Sequence, residues 1–203
     1  MGYLLGIRDQ NKPPGSPIES LALVRPLAWI NMNQEHVEVV KSGKIAIDEW
    51  RRDQGTLKSI LDLSRATLSF ADLRGANLRN ADLEEALLYS AILRLADLRC
   101  VNLQSARFSR AKLTGADLSG ADLRWVNFSS ANLYGANLAE ADLSGANLSM
   151  ANLTGADLSR TGLSGTIFSS AQMKGTLLAQ SILKSTIFVN CDLSLVVFGG
   201  GIR

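Results

Sequence analysis

Cysteine occurs twice in the 203 residues, histidine once and proline four times, and aromatic residues make up 6%. So few cysteines exclude a disulfide-stapled scaffold and fit a reducing compartment. His36 has no second imidazole to join it in a metal site or a catalytic pair. Long apolar runs are missing too: nothing approaches the roughly 20 residues of a membrane-spanning helix. The opening Met1 to Ile7 lacks the basic stretch and long apolar core of a secretion signal. Net charge is only +2, so no strong preference for a polyanion or a polycation is built in. No set of nucleophile, base and oxyanion donor can be assembled, and there is no phosphate loop. The expectation is a cytoplasmic protein that is not an enzyme, with no catalytic, cofactor-binding or metal residues.

What the chain has in abundance is one short pattern, Ala-Asp/Asn-Leu-x-x, as in Ala71-Asp72-Leu73, Ala76-Asn77-Leu78, Ala81-Asp82-Leu83 and Ala116-Asp117-Leu118. Taking the large residue as position i, steps of five from Leu63 to Phe198 give 28 units without a slipped register. A helix turning about 100° per residue would scatter such a repeat around its surface. A continuous strand would put alternate units on opposite faces. Only a corner in every unit keeps i−2 and i inward, so the spacing predicts short extended segments with tight turns at i+1 and i+2, wound into a solenoid.

A slower modulation sets the coil. Phe108, Phe128, Phe168 and Phe188 are separated by multiples of twenty, and Gly75, Gly115, Gly135, Gly155 and Gly175 form a second column of that kind. Four units per coil follow, with a square cross-section and about seven coils. These residues resemble the pentapeptide-repeat family. The resemblance implies an all-β solenoid, a right-handed quadrilateral β-helix, here with a small α-helical N-terminal cap. Members of that family have been linked to shielding DNA gyrase as DNA mimics and to cell differentiation in cyanobacteria.

Before the repeats, residues 1–17 read as a polar, Pro/Gly-rich leader, and residues 18–60 as a helical cap. A brief helix is expected after Ser16-Pro17, and a hairpin of two helices from Asn33 to Ser42 and from Lys44 to Gln54, each closed by glycine. Val39-Val40-Lys41-Ser42-Gly43 and Glu49-Trp50-Arg51-Arg52 resemble the lead-in of many pentapeptide-repeat domains. Val39, Val40, Ile45, Ile47 and Trp50 are expected to cover the open first coil, which would otherwise invite edge-to-edge association. Residues 61–198 form the solenoid and 199–203 a tail.

Cys100 is expected to point outward and Cys191 inward, too far apart to pair. Asp62, Asp82, Asp122 and Asp142 share a column with Asn102 between them, read as outward repeat residues that are either solvated or bonded in ladders between coils. From residue 61 onward there are 13 Lys/Arg and 12 Asp/Glu. That balance disfavours the alternative function, a DNA mimic that binds and protects a topoisomerase (gyrase), although Lys and Arg are absent from Trp125 to Ser159. The preferred function is a rigid, non-enzymatic scaffold for an unidentified protein partner. Nucleic acid is disfavoured because the aromatics mostly point inward, and no membrane is involved. The candidate partner patch is Arg74, Arg79, Ile92, Arg94, Leu95 and Arg99. A candidate homodimer contact through the carboxy-terminal coils comprises Ile167, Leu177, Ile182, Ile187 and Val197, apolar where earlier units carry Asp or Asn.

Overall fold

A computed structural model describes residues 34–53 and 60–199. The leader and the brief helix expected after Ser16 lie outside the described residues, as does the tail beyond Gly199. Two helices lead in: α1, residues 34–41, and α2, Lys44–Asp53. Gly43 at φ 89° makes the tight link between them. From residue 61 the backbone repeats one five-residue shape, a three-residue extended segment and a two-residue turn. Each bridge is parallel and joins residues twenty apart, from Asp62 with Asp82 to Leu177 with Val197. Four segments and four turns therefore make one coil, and residues 61–80, 81–100, 101–120, 121–140, 141–160, 161–180 and 181–199 are coils one to seven. The four faces are named first to fourth from their outward residues in coil one: Asp62, Thr67, Asp72 and Asn77.

The backbone hydrogen bonds explain why the unit has the composition it does. In the unit 121–125, Ala121 N–H closes the turn onto Leu118 O at 3.1 Å, Asp122 N–H donates back to Val101 O at 3.0 Å, and Leu123 and Trp125 N–H donate forward to Asp142 O and Ser144 O at 2.8 and 3.0 Å. The fifth donor, Arg124 N–H, goes to the Oδ1 of Asp122, two residues back. All five N–H groups of the unit are thus satisfied, three of them between coils. An Asp or Asn just before the large residue is what completes the set, an Asx turn at each corner whose unit carries one. The same bond recurs, for example, at Ser64, Glu84, Ser119, Ser144 and Asn152–Thr154.

The expected side-chain bonds between coils are met in part. Among the described residues, Asn102 to Asp82 (3.0 Å) and Asn137 to Asp117 (3.1 Å) bond between Asx side chains of adjacent coils. In both pairs the Oδ1 atoms also serve their own corners, at Glu84, Gln104, Ser119 and Ala139 N–H, because the orphan N–H two residues on is near and fixed. A further regularity concerns the second residue of each turn, which has positive φ at every fifth position from Arg65 to Asn190. Many of these are not glycine, and they include Phe70, Leu95, Trp125 and Met150 at φ 57–64°. A left-handed L-residue costs roughly 1–2 kcal/mol, so the inter-coil ladder and core must outweigh strain repeated along the whole rod.

The core is a column of Leu, Ala and Phe at i and i−2, fully buried through coils two to five. Phe108 and Phe128 meet at 5.1 Å between ring centroids, tilted by 47°, and Phe168 and Phe188 at 5.1 Å, nearly parallel. In coils six and seven the inward Ala gives way to Thr161, Thr166, Thr176, Ser181 and Thr186. Their hydroxyls are satisfied by carbonyls: Thr166 donates to Leu143 O at 2.8 Å, Thr176 to Leu153 O at 2.9 Å and Thr186 to Leu163 O at 2.7 Å. The ladder slips once, where Gly175 N–H donates to Leu195 O and Gln172 has no bridge to Asp192.

Candidate interaction surfaces

At the amino-terminal end the first coil has no preceding coil to satisfy its edge. Arg51, on the last turn of α2, donates from Nε to Asn77 O and from an Nη to Arg79 O, both at 2.7 Å. His36 on α1 accepts Asp62 N–H through Nδ1 at 3.0 Å and packs edge-on against Trp50, with centroids 4.9 Å apart. Burial opposes the charge of Arg51, and Asp97 and Asp48 nearby oppose that effect. Val40 and Ile47 are fully buried over the Leu-lined opening, and Val39 and Trp50 pack beside them. Ile45, expected among the lids, is instead 74% exposed, because it lies on the opposite side of α2 from Ile47. Neither Arg51 nor the bond made by His36 was foreseen; their partners lie 26 and 28 residues away, beyond the reach of local spacing.

The candidate patch on coils one and two divides into two kinds of arginine. Arg74 is chelated by Asp72, with Nε to Oδ1 at 2.8 Å, and Arg99 by Asp97 at 2.8 and 2.6 Å. Each arginine holds the carboxyl of its Asp below the ordinary carboxylate range, chiefly through that hydrogen bond. Arg79 and Arg94 are exposed and make no direct ion pair among the described residues, although the charge of Arg79 also favours the Asp97 carboxylate. Ile92 is half-buried between Asp72 and Lys112, whereas Leu95 is 73% exposed and lies over Gly115 in the next coil. Arg74 also lines a cleft of about 430 Å³ with Asp72 and the helical link Lys41 to Ile45. The cations there are already matched, Lys41 with Glu38 and Lys44 with Asp48.

At the other end, Leu177, Ile182, Ile187 and Val197 are all more than one third exposed, together with Val189 and Leu195, while Ile167 is half-buried. They occupy the first, second and fourth faces, so they form a belt around the last coils rather than one flat side. Cys100 is exposed and Cys191 half-buried, both as free thiols. Among the described residues no cluster of acids, His and Cys is arranged to hold a metal ion, and no helix is long and apolar enough to cross a membrane.

The sequence profile of the pentapeptide repeats matches residues 62–99, 91–129 and 121–160, which are coils one to five. The chain belongs to the pentapeptide-repeat family. That family's right-handed β-helix solenoid is the frame into which the twenty-residue coils fall. Among solved structures, HetL from the cyanobacterium Nostoc sp. strain PCC 7120, involved in heterocyst differentiation regulation, is 24% identical over 69% of this chain and 86% of its own, with a TM-score of 0.41. Rfr23 from the cyanobacterium Cyanothece 51142 is 33% identical over 45% of this chain and 63% of its own, at 0.44. Full-length QnrB1, a plasmid-mediated fluoroquinolone resistance protein, is 22% identical over 68% of this chain and 78% of its own, at 0.36. No curated protein matches this chain.

Proposed function

We propose that this pentapeptide-repeat protein is a non-enzymatic, rigid cytoplasmic scaffold for a protein partner, with residues 18–60 acting as a cap on a single solenoid core. The observation that supports this reading is the closed hydrogen-bond set of the repeat unit. It leaves the chain little to do except hold outward columns of side chains at fixed spacing. The partner patch is Arg74, Arg79, Ile92, Arg94, Leu95 and Arg99, in which Arg79 and Arg94 supply free charge and Leu95 apolar contact for an acidic protein surface. Pull-down from a cell extract tests it. Changing Arg74, Arg79, Arg94 and Arg99 together to Ser is expected to remove bound proteins, and an unaltered set would sink the patch.

A second copy is proposed to meet the carboxy-terminal belt, since exposed apolar groups around an open coil favour pairing. Light scattering tests this: the wild type is expected as a dimer that Ile182→Asp with Ile187→Asp dissolves. The alternative of a topoisomerase-protecting DNA mimic draws on the acid columns of the first and fourth faces. It is weakened by Arg99 and Arg124, which neutralise Asp97 and Asp122 in those columns.

A further inference from the structure

Trp125 stands out among the corner residues. Its indole is 65% exposed at a left-handed position, φ 59°, where Ser105 and Ser185 occupy the same column. The ring is not loose on the surface. It lies over Gly145 in the next coil, where a Cβ would overlap Cε3, Cζ3 and Cδ2 of the indole. One ring face is therefore seated on backbone that only glycine leaves bare, and further along the column Gly165 keeps the corner free of side chains.

The charge around this ring is equally specific. Lys and Arg are absent from Trp125 to Ser159. Arg124 beside it is engaged by Asp122 at 2.8 and 2.6 Å and by Gln104 at 3.2 Å. Asp142, on the first face of the same coil as Gly145, gives Oδ1 to Ser144 N–H at 2.9 Å; it makes no direct ion pair among the described residues, although its charge also favours the Arg124 guanidinium. By contrast, the ring of Tyr89 already has a cation: Arg110 sits 5.8 Å from its centroid and bonds its hydroxyl at 2.9 Å. No described cation lies over Trp125.

An electron-rich ring face held open, at the start of a stretch that carries Glu140, Asp142 and Asp157 but no Lys or Arg, has the chemistry that recognises a guanidinium or ammonium group. We infer that the Trp125, Asp142 and Gly145 corner docks a basic, arginine-bearing segment of a partner protein. This rests on the scaffold reading above but names a different surface and the opposite partner charge. The small residues at Ser144, Gly145, Ser164 and Gly165 let an extended backbone run close along the corner. With a net charge of +2 on the whole chain, diffuse attraction for a basic segment is not expected, so binding has to be local.

The test is fluorescence anisotropy of a labelled short peptide of alternating arginine and glycine, titrated with the full chain at low salt. Saturable binding is expected, weakened roughly tenfold by Trp125→Ser, and weakened to a lesser degree by Asp142→Asn, which keeps the Asx bond. Gly145→Ala, which displaces the indole without altering its chemistry, should weaken binding as Trp125→Ser does. Tyr134→Ser, at another exposed corner, should change nothing. Absence of binding, or equal binding by Trp125→Ser with its circular dichroism intact, overturns the inference. So does equal binding of a glutamate–glycine peptide, an oligothymidylate or a neutral oligosaccharide. Because the four-arginine pull-down reads coils one and two and this titration reads coils four and five, either result can fail alone.

Discussion

At the amino-terminal end Arg51 and His36 bond the edge of the first coil, while Val40 and Ile47 lie fully buried across its opening. At the carboxy-terminal end Leu183, Phe188, Leu193 and Phe198 are only partly buried, and the N–H groups of Leu183, Ser185 and Phe188 have no further coil to meet among the described residues. The composition of the coils follows this asymmetry. Near the capped end the outward position is mostly Asp or Asn and serves the corner; near the open end it is mostly Ile, Leu or Val and faces solvent, while Thr hydroxyls move inside. A solenoid has two edges to manage, and among the described residues one is met by the lead-in helices while the other carries an apolar rim.

The contrast is sharpest for apolar truncation. Ile47→Ala, at a fully buried position, is expected to cost about 2–5 kcal/mol of unfolding free energy, whereas Leu193→Ala, half-exposed near the open end, should cost less than half as much. Urea unfolding followed by circular dichroism measures both. Equal losses would mean that the open end is covered in solution.

Next in size is the polar side of the cap. Arg51→Met keeps the apolar stem but leaves Asn77 O and Arg79 O without their donors, and should cost roughly 1.5–3 kcal/mol in the same experiment. The matching probe near the open end is Thr166→Val, which removes a buried hydroxyl from Leu143 O at nearly constant volume. That carbonyl still accepts Ala146 N–H, so the loss should be about 0.5–1.5 kcal/mol. If Thr166→Val proved the costlier of the two, the inward hydroxyls rather than the cap would set the stability of the rod.

Much of this architecture was legible in the sequence, because a strict period of five and a modulation of twenty leave few ways to keep Leu and Ala inward. The columns Phe108–Phe128 and Phe168–Phe188 followed from spacing alone. The purpose of the Asp and Asn residues is legible only in part, for an instructive reason. Stacking twenty residues apart made ladders conspicuous, while the competing bond to an N–H two residues on depends on turn geometry that the repeat does not display. Ile45 was placed on the wrong side of α2 because its apolarity was counted and its helical phase was not. The seat of Trp125 on Gly145 was available as a twenty-residue coincidence; Arg51, His36 and their coil-one partners were not, since capping contacts follow no period.

The smallest expected effect is on acid stability, and it separates the two ends by charge. Asp72, Asp97 and Asp122 are each bound by the arginine two residues on, Arg74, Arg99 and Arg124, and each carboxyl is held below its ordinary value chiefly by that hydrogen bond. A depressed folded-state value means that the contribution is present above the unfolded carboxylate value, about 3.9, and is lost as pH falls through the lower folded-state value. All three pairs lie in coils one to four and are largely open to solvent, so screening keeps the contribution small. Asp192, near the open end, is held low by Ser194 rather than by a cation. Unfolding midpoints measured from pH 6 to below the carboxylate range should therefore stay level until about pH 4 and then decline. Asp97→Asn together with Asp122→Asn keeps the Asx bonds while removing two of the charges, and should flatten the decline. A decline that these substitutions leave unchanged would place the acid sensitivity in other carboxylates and remove the Arg–Asp corners from the account of stability.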